Sequence, residues 1–253
     1  MSTLDTIRDF KMFRGQLQDA PLEEEHLMAL IDAARWAPSG HNSQPCEFLY
    51  IDDRELIVEI ARTATGNFDN FLRNDPSLPG WARKFRQWMR SSRDELAEKG
   101  DGIYFKNFLV PEWSVVDEGG DDDAVREAMG RLFGSNGQSS RVIASAPCLL
   151  LTLLNGQREC PDVSCELLAL TSAGAAMQNI RLAARELGVS VLEQSLLYDL
   201  PETRSAILQL LGMPDHYRIV GGMRLGYRAK VSANSFTNVR RPVADILHRN
   251  GYR

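Results

Sequence analysis

The chain has 253 residues, 43% of them hydrophobic, enough to bury a sizeable core. Its 29 basic and 34 acidic residues leave a formal net charge of −5, which excludes a nucleic-acid protein, because phosphate backbones demand a basic face. No run approaches the roughly 20 apolar residues of a membrane span, and "MSTLDTIRDFKMFRG" lacks the apolar centre of a signal peptide, so a cytoplasmic protein with no membrane contact is expected.

Residues 22–36, "LEEEHLMALIDAARW", set Leu27, Leu30, Ile31 and Ala34 at helical spacing, with acidic residues in the first turn where the helix dipole favours them. The helix must stop at Pro38, after which small polar residues crowd between two prolines in "PSGHNSQP". The prolines stiffen this segment while its serines, Asn42 and Gln44 supply donors and acceptors, which suits the polar edge of a heterocycle. A plain helix-to-strand turn uses the same residue types. "EFLYI", residues 47–51, then reads as a strand, and "RELIVEIARTA" resumes a helical period.

Between about residues 66 and 141 the pattern becomes irregular. This stretch holds Trp81, Trp88 and Trp113 with Phe85, Tyr104, Phe105 and Phe108, and it contains the acidic run "DEGGDDD". The aromatics argue against disorder, leaving a lid or binding loop on one hand and a small subdomain packing its own core on the other.

"APCLLLTLLNG", residues 146–156, is too continuously apolar for a surface element and reads as a strand buried on both faces. "SCELLALTSAGAAMQNIRLAARELG", residues 164–188, is a long helix nearly uncharged over 167–180, which belongs in a core or at a subunit interface, with Gly188 as its C-terminal cap. "VSVLEQSLL" follows as a strand, "PETRSAILQLLG" as a helix with Pro201 in its first turn, and "YRIVGGMRLGY" as a last strand. The final 25 residues read as an extended arm and a short helix.

The four cysteines, Cys46, Cys148, Cys160 and Cys165, form no CxxC pair, and the four histidines stand at no ligand spacing from them, so reduced thiols and no metal are expected. Neither a GxGxxG after a strand nor a P-loop is present. Two basic pairs remain, Arg240 with Arg241 in "NVRRP" and Lys11 with Arg14 in "DFKMFRG". They could share a phosphate, or be solvated surface charge.

Taken in order, "AARWAPSGHNSQPCEFLYIDD", "SAGAAMQNIRLAARELGVSV", "LLGMPDHYRIVGGMRLGY" and "RRPVADILH" resemble the FMN-dependent nitroreductase family over the chain except about residues 68–140. The resemblance implies an α+β fold, a mixed sheet flanked by helices, as one domain over 1–253 with an aromatic-rich insertion at about 68–140. It also implies a domain-swapped homodimer with a C-terminal arm and two FMN sites at the interface. Pro38, Ser39, Gly40 and Asn42 match the segment lining the flavin, with Gln44 beside them, and Arg14 matches the basic residue near the flavin N1 and O2 edge. Glu193 and Gln194 match the pair whose backbone faces N5, and Arg240, with Arg241, matches the phosphate-binding base of the arm.

The sequence departs from the family pattern at three places. Phe10 stands where the family usually has an arginine, with Lys11 and Arg8 nearby, which leaves open which N-terminal basic residue meets the phosphate; Cys46 replaces the usual aromatic after Gln-Pro; and Asn67 or Asn70 fills the family's amide contact to the ring. The implied reaction is reduction of FMN by NADPH or NADH, then of an organic acceptor such as a nitroaromatic or quinone, with no catalytic side chain. Two alternatives stay open: a dehydrogenase of a specific metabolite whose flavin is reoxidised by dioxygen, and a non-catalytic binding protein on the same fold.

Overall fold

The computed structural model describes residues 2–13, 15–98, 111–134, 138–161, 163–229, 243 and 246–250, with backbone alone for 91–98 and 138–140. The chain divides into two compact units, one of residues 1–75 with 130–232 and one of 76–129 with 233–253.

In the first unit, α1 (Thr3–Asp9) opens on a reciprocal cap: the Ser2 hydroxyl accepts from the Asp5 N–H, while the Asp5 carboxylate accepts from the Ser2 N–H. The sequence reading did not anticipate this short helix. Next come α2 (Glu24–Arg35), β1 (Cys46–Ile51) and α3 (Arg54–Asn74), whose first turn is held by the Asp53 carboxylate accepting from the N–H groups of Glu55 and Leu56. Beyond the second unit, α7 (Gln138–Ala144) leads to β2 (Cys148–Asn155), α8 (Cys165–Glu186), β3 (Ser190–Glu193), α9 (Pro201–Leu210) and β4 (Tyr217–Gly226). Gly188 takes a φ of +71° just past α8, the left-handed cap its sequence position called for.

The strands form one sheet in the order β1-β2-β4-β3. All three pairings are antiparallel, so the parallel part of the expected mixed sheet is not among the described strands. Every residue of β2 is buried, Thr152 and Asn155 among them, as its largely apolar sequence led one to expect. On one face Leu150, Val191, Met223 and Leu225 pack with α2 and α8; on the other, Leu149, Leu151, Leu153 and Ile219 pack with residues of α3, α7 and α9. Two glycines let the layers close. A Cβ on Gly221 would stand 2.7 Å from the Met177 side chain of α8, and one on Gly222 2.7 Å from Leu197.

The expected irregularity of 66–141 is corrected by the structure. α3 runs on to Asn74, and α4 (Leu78–Glu98), α5 (Ser114–Asp117) and α6 (Asp122–Phe133) follow. Weak helix formers such as Gly66, Asn67 and Gly80 blur the period locally, while burial of Leu72, Leu78, Ala82 and Met89 on one side sustains the helices. In the second unit, Trp81, Phe85 and Trp88 stack along α4 with ring centroids 5.1 and 5.6 Å apart, and Phe85 lies 6.1 Å from the fully buried Trp113. Arg86 binds both oxygens of Asp117, at 2.9 and 2.6 Å, and lies over the Trp113 ring. Trp113 thus packs the unit's own core, whereas Trp88 is 54% exposed. No described helix is long and apolar enough to cross a membrane.

Candidate functional site

The segment after α2 is rigid and locally strained. Ala37 N–H closes the helix end onto Ala34 C=O at 3.0 Å, and between exposed Pro38 and buried Pro45 the backbone makes one tight turn over Gly40–Asn42. His41, Asn42 and Gln44 have φ of 53°, 53° and 49°, a left-handed region in which asparagine is tolerated but histidine and glutamine are uncommon. Such backbone persists only where neighbours over-determine it. Here the Ser39 hydroxyl accepts from Gln44 N–H at 3.0 Å, Gln44 Nε2 donates to Asn42 Oδ1 at 3.2 Å, Arg158 Nε donates to Gln44 C=O at 3.2 Å, and Pro45 C=O accepts from Asn155 N–H at 2.9 Å. Gly40 sits on the start of α8, since a Cβ there would stand 2.9 Å from Leu168.

Pro38, Ser39 and Gln44 border a cavity of about 520 Å³ between α2, β1 and α8, whose wall is largely apolar and includes Ile31, Ala34 and Phe48. Burial pushes the Cys46 thiol there up to about 11, which keeps it neutral and a poor nucleophile. Glu47, also on the wall, is held below the usual carboxylate range first by the Asn155 amide at 2.7 Å, while the Tyr217 hydroxyl donates to its other oxygen at 2.7 Å. The pocket therefore offers shape and polar groups, while neither Cys46 nor Glu47 is an activated nucleophile or base.

A second group of expected residues lies on the open edge of β3. Gln194 N–H donates to Gly222 C=O at 2.8 Å, which makes residues 194 and 192 the inward-bonding positions facing β4. By the same alternation Val191 and Glu193 turn their backbone groups to the open edge. Phe13 confirms the phase: its N–H donates to Val191 C=O at 3.1 Å. Two residues along, Glu193 presents its own N–H on that edge. Its carboxylate is already spoken for, by an ion pair with Arg181 of α8 and a hydrogen bond from the Tyr198 hydroxyl. Burial, then that carboxylate, raises the Tyr198 phenol above its ordinary value, so the tyrosine stays a donor.

The described residues on either side of position 14 are held at several points. Gly15 C=O and Phe13 C=O accept from Arg224 Nη2 at 2.7 and 2.9 Å, Gln16 C=O accepts from Ala229 N–H at 3.1 Å, and Gln18 N–H donates to Tyr227 C=O at 2.8 Å. Arg228 lies 4.5 Å above the Phe13 ring. Lys11 is exposed just before this segment. Arg14, Arg240 and Arg241 lie outside the described residues, so the expected contacts to the N1 edge and the phosphate are not placed.

The structure thus gathers the expected residues into two groups and separates them. Gly40 of the loop group stands over Leu168, whereas Glu193 is tied to Arg181, thirteen residues further along α8, a rise of about 20 Å at 1.5 Å per residue. Of the two amides proposed for the ring, Asn70 is exposed on α3 and accepts from Asn74 at 2.7 Å, and Asn67 is half-buried on the same helix. Sequence reasoning missed Arg158, Arg181, Tyr198 and Arg224. Only Arg224 left a signal, an arginine within the otherwise uncharged "IVGGMRLGY" of the last strand.

Comparison with known proteins bears on the fold and the family. The nitroreductase family profile matches residues 11–227. No curated protein matches significantly. Among solved structures, the chain is similar to the NADPH:FMN oxidoreductase of Vibrio harveyi complexed with NAD+, at 18% identity and a TM-score of 0.61 over 99% of this chain and 78% of that one. Nitroreductase A of Vibrio parahaemolyticus gives 18% and 0.62 over 100% and 77%. A nitroreductase-like protein of Desulfovibrio desulfuricans in complex with FMN gives 18% and 0.55 over 100% and 99%. With a profile match that takes in both residue groups and most of the chain, this protein belongs to the nitroreductase family.

Proposed function

We propose that the chain is an FMN-dependent oxidoreductase that works as a homodimer, with the aromatic insertion at about 68–140 as part of a single domain. The observation that carries the reading is Glu193, which presents a backbone N–H at a sheet edge while its carboxylate is occupied by Arg181 and Tyr198. A donor fixed in that way suits a flavin ring nitrogen, and a site without a free acid or base suits chemistry that the cofactor performs. Bound there, FMN would supply two-electron exchange at N5, between NADPH or NADH and an organic acceptor such as a nitroaromatic or quinone.

The residues of this chain would bind and orient. Ser39, Asn42 and Gln44 offer hydroxyl and amide groups from a backbone that is already fixed, so little entropy is lost on binding. Arg14 would place positive charge at the N1 and O2 edge, and Lys11, Arg240 and Arg241 would neutralise the phosphate. The two groups are about 20 Å apart along α8, further than one ring spans, so one site would take the Pro38–Gln44 group from one copy and the Glu193 group from the other. Leu167 and Leu170, 65% and 43% exposed on α8, are the surface such a partner would cover.

The test is anaerobic titration of the purified chain, supplied with FMN, first with NADPH and then with NADH, followed by visible absorption. Stoichiometric bleaching of a protein-bound flavin is expected. A bound flavin that neither nicotinamide bleaches would overturn the reductase and favour the dehydrogenase, and a protein that refuses FMN would overturn the flavin reading itself.

A further inference from the structure

We propose that the cavity between α2, β1 and α8 is a binding site for a small apolar carboxylic acid, whose carboxylate pairs with Arg158 at the mouth while its body lies against Ile31 and Phe48. The site is built from one compact unit of the chain and does not depend on the flavin reading.

Small side chains make the space. Ala34 and Ala37 at the end of α2, Ser172 and Ala176 of α8, and Cys46 at the start of β1 stop short of one another and leave about 520 Å³, a size usual for a small-molecule pocket. The larger neighbours are left partly open by it. Residues 46, 48 and 50 alternate onto this face of β1, and Phe48 and Tyr50, like Leu27 and Ile31 of α2, are only half-buried although they pack on the core. Met28, on the same wall, is 58% exposed. Apolar surface gathered in a concavity gains from an apolar body placed against it.

Three charged residues reach the wall, and two of them are already matched. Arg35 pairs with Asp32 at 2.5 Å. The Glu47 carboxylate takes the Asn155 amide on one oxygen and the Tyr217 hydroxyl on the other, both at 2.7 Å. Arg158 differs. Its Nε donates to Gln44 C=O at 3.2 Å, but among the described residues no carboxylate stands within ion-pair distance of its guanidinium, and its two terminal nitrogens have no acceptor.

The Arg158 side chain is exposed, yet the turn that carries it, Gly156–Arg158, is fixed. Asn155 N–H donates to Pro45 C=O at 2.9 Å, Gly156 N–H donates to His216 C=O at 2.8 Å, and Asn155 Oδ1 accepts from Gln157 N–H at 3.0 Å. A guanidinium held at the rim of an apolar cavity offers a carboxylate two donors in a planar fork. One positive charge suits one negative charge. Glu47, held low first by the Asn155 amide and also by the charge of Arg158, is near enough to disfavour a dianion such as phosphate.

The experiment titrates the full-length protein calorimetrically with 2-naphthoate, with octanoate, and with 2-naphthamide as the neutral control, in wild type, Arg158→Met, Arg158→Lys and Cys46→Phe. One acid bound per wild-type chain is expected, with the amide at least tenfold weaker. Arg158→Met should weaken the acid at least tenfold and the amide less than threefold, and Arg158→Lys should restore most of the loss. Cys46→Phe, which puts a ring into the cavity, should abolish binding of both with the melting temperature unchanged or raised. The tighter of the two acids assigns the body as aromatic or aliphatic. Because residue 158 is exposed, Arg158→Met decides the matter even if Cys46→Phe fails to fold. Failure of both acids to bind wild type, equal affinity for acid and amide, unmoved acid affinity in Arg158→Met, or full binding by a folded Cys46→Phe would each overturn the proposal. So would acid binding seen only below the concentration at which sedimentation shows a dimer, since a second copy would then be the occupant.

Discussion

At Ser39 one hydroxyl holds a left-handed turn in place, because it accepts the N–H of Gln44, whose φ is 49°. Ser39→Ala removes that bond and leaves the strained backbone to relax, at a cost of about 1 kcal/mol. It should lower the melting temperature by a few degrees and weaken FMN binding several-fold in a direct FMN titration, since the ligand then has to re-form the turn. Glu193 makes the converse case. If its N–H is what the cofactor meets, the carboxylate serves only to brace Arg181 and Tyr198, and Glu193→Gln should cost about 1–3 kcal/mol of stability. The rate of flavin reduction by the nicotinamide, measured by stopped flow below the melting range, should change less than threefold. A larger loss of rate would give the carboxylate a part in the chemistry.

Elements differ in how much of them can be read from the chain. β2 was legible because six of its eight buried positions are apolar, with Thr152 and Asn155 the exceptions, and α2 and α8 because their apolar positions recur over several turns. α3 beyond residue 65, α4 and α6 were not, because glycine and asparagine inside them mask a period that tertiary burial restores. The Pro38–Pro45 loop was legible as a stiff, punctuated turn from its two prolines, but its left-handed residues were not, since histidine and glutamine carry no signal for that conformation. Ion pairs between elements were equally silent. Asp117 of α5 takes both arms of Arg86 from α4, and the hydrogen bond from Arg86 is the main cause holding its carboxyl below the usual range. A depressed carboxylate contributes stability that is present above the unfolded-state value near 4 and is lost as pH falls through the lower folded value. Wild type should therefore lose stability between about pH 4 and lower pH by an amount that Asp117→Asn does not, and Asp117→Asn should be the weaker protein by about 1–3 kcal/mol at pH 7. Denaturant unfolding followed by circular dichroism at pH 7, 5, 4 and 3 checks both; parallel curves for the two proteins would remove the pair from the acid response.

For the whole molecule the question is whether one chain makes a site. The loop group and the Glu193 group are anchored towards opposite ends of α8, and among the described residues the first part of one helix face is exposed: Leu167, Leu170, Thr171 and Gly174 recur there at helical spacing. A Cβ on Gly174 would meet nothing within 4 Å among the described residues, so none of them requires glycine there. In a helix interior glycine costs about 1 kcal/mol relative to alanine, and a small residue on an exposed face is what a closely packed second helix needs. Gly174→Leu separates the two explanations. In an isolated chain the substitution adds helix propensity in open space, and the melting temperature should hold or rise. Between two copies it places four extra carbons where backbones meet, which should shift sedimentation from a dimer to a monomer and, because each FMN site would draw on both copies, release the flavin at the same protein concentration. A dimer that survives with FMN bound would put the contact on another face, and a wild-type monomer that binds FMN would show that one chain bridges the two groups by itself.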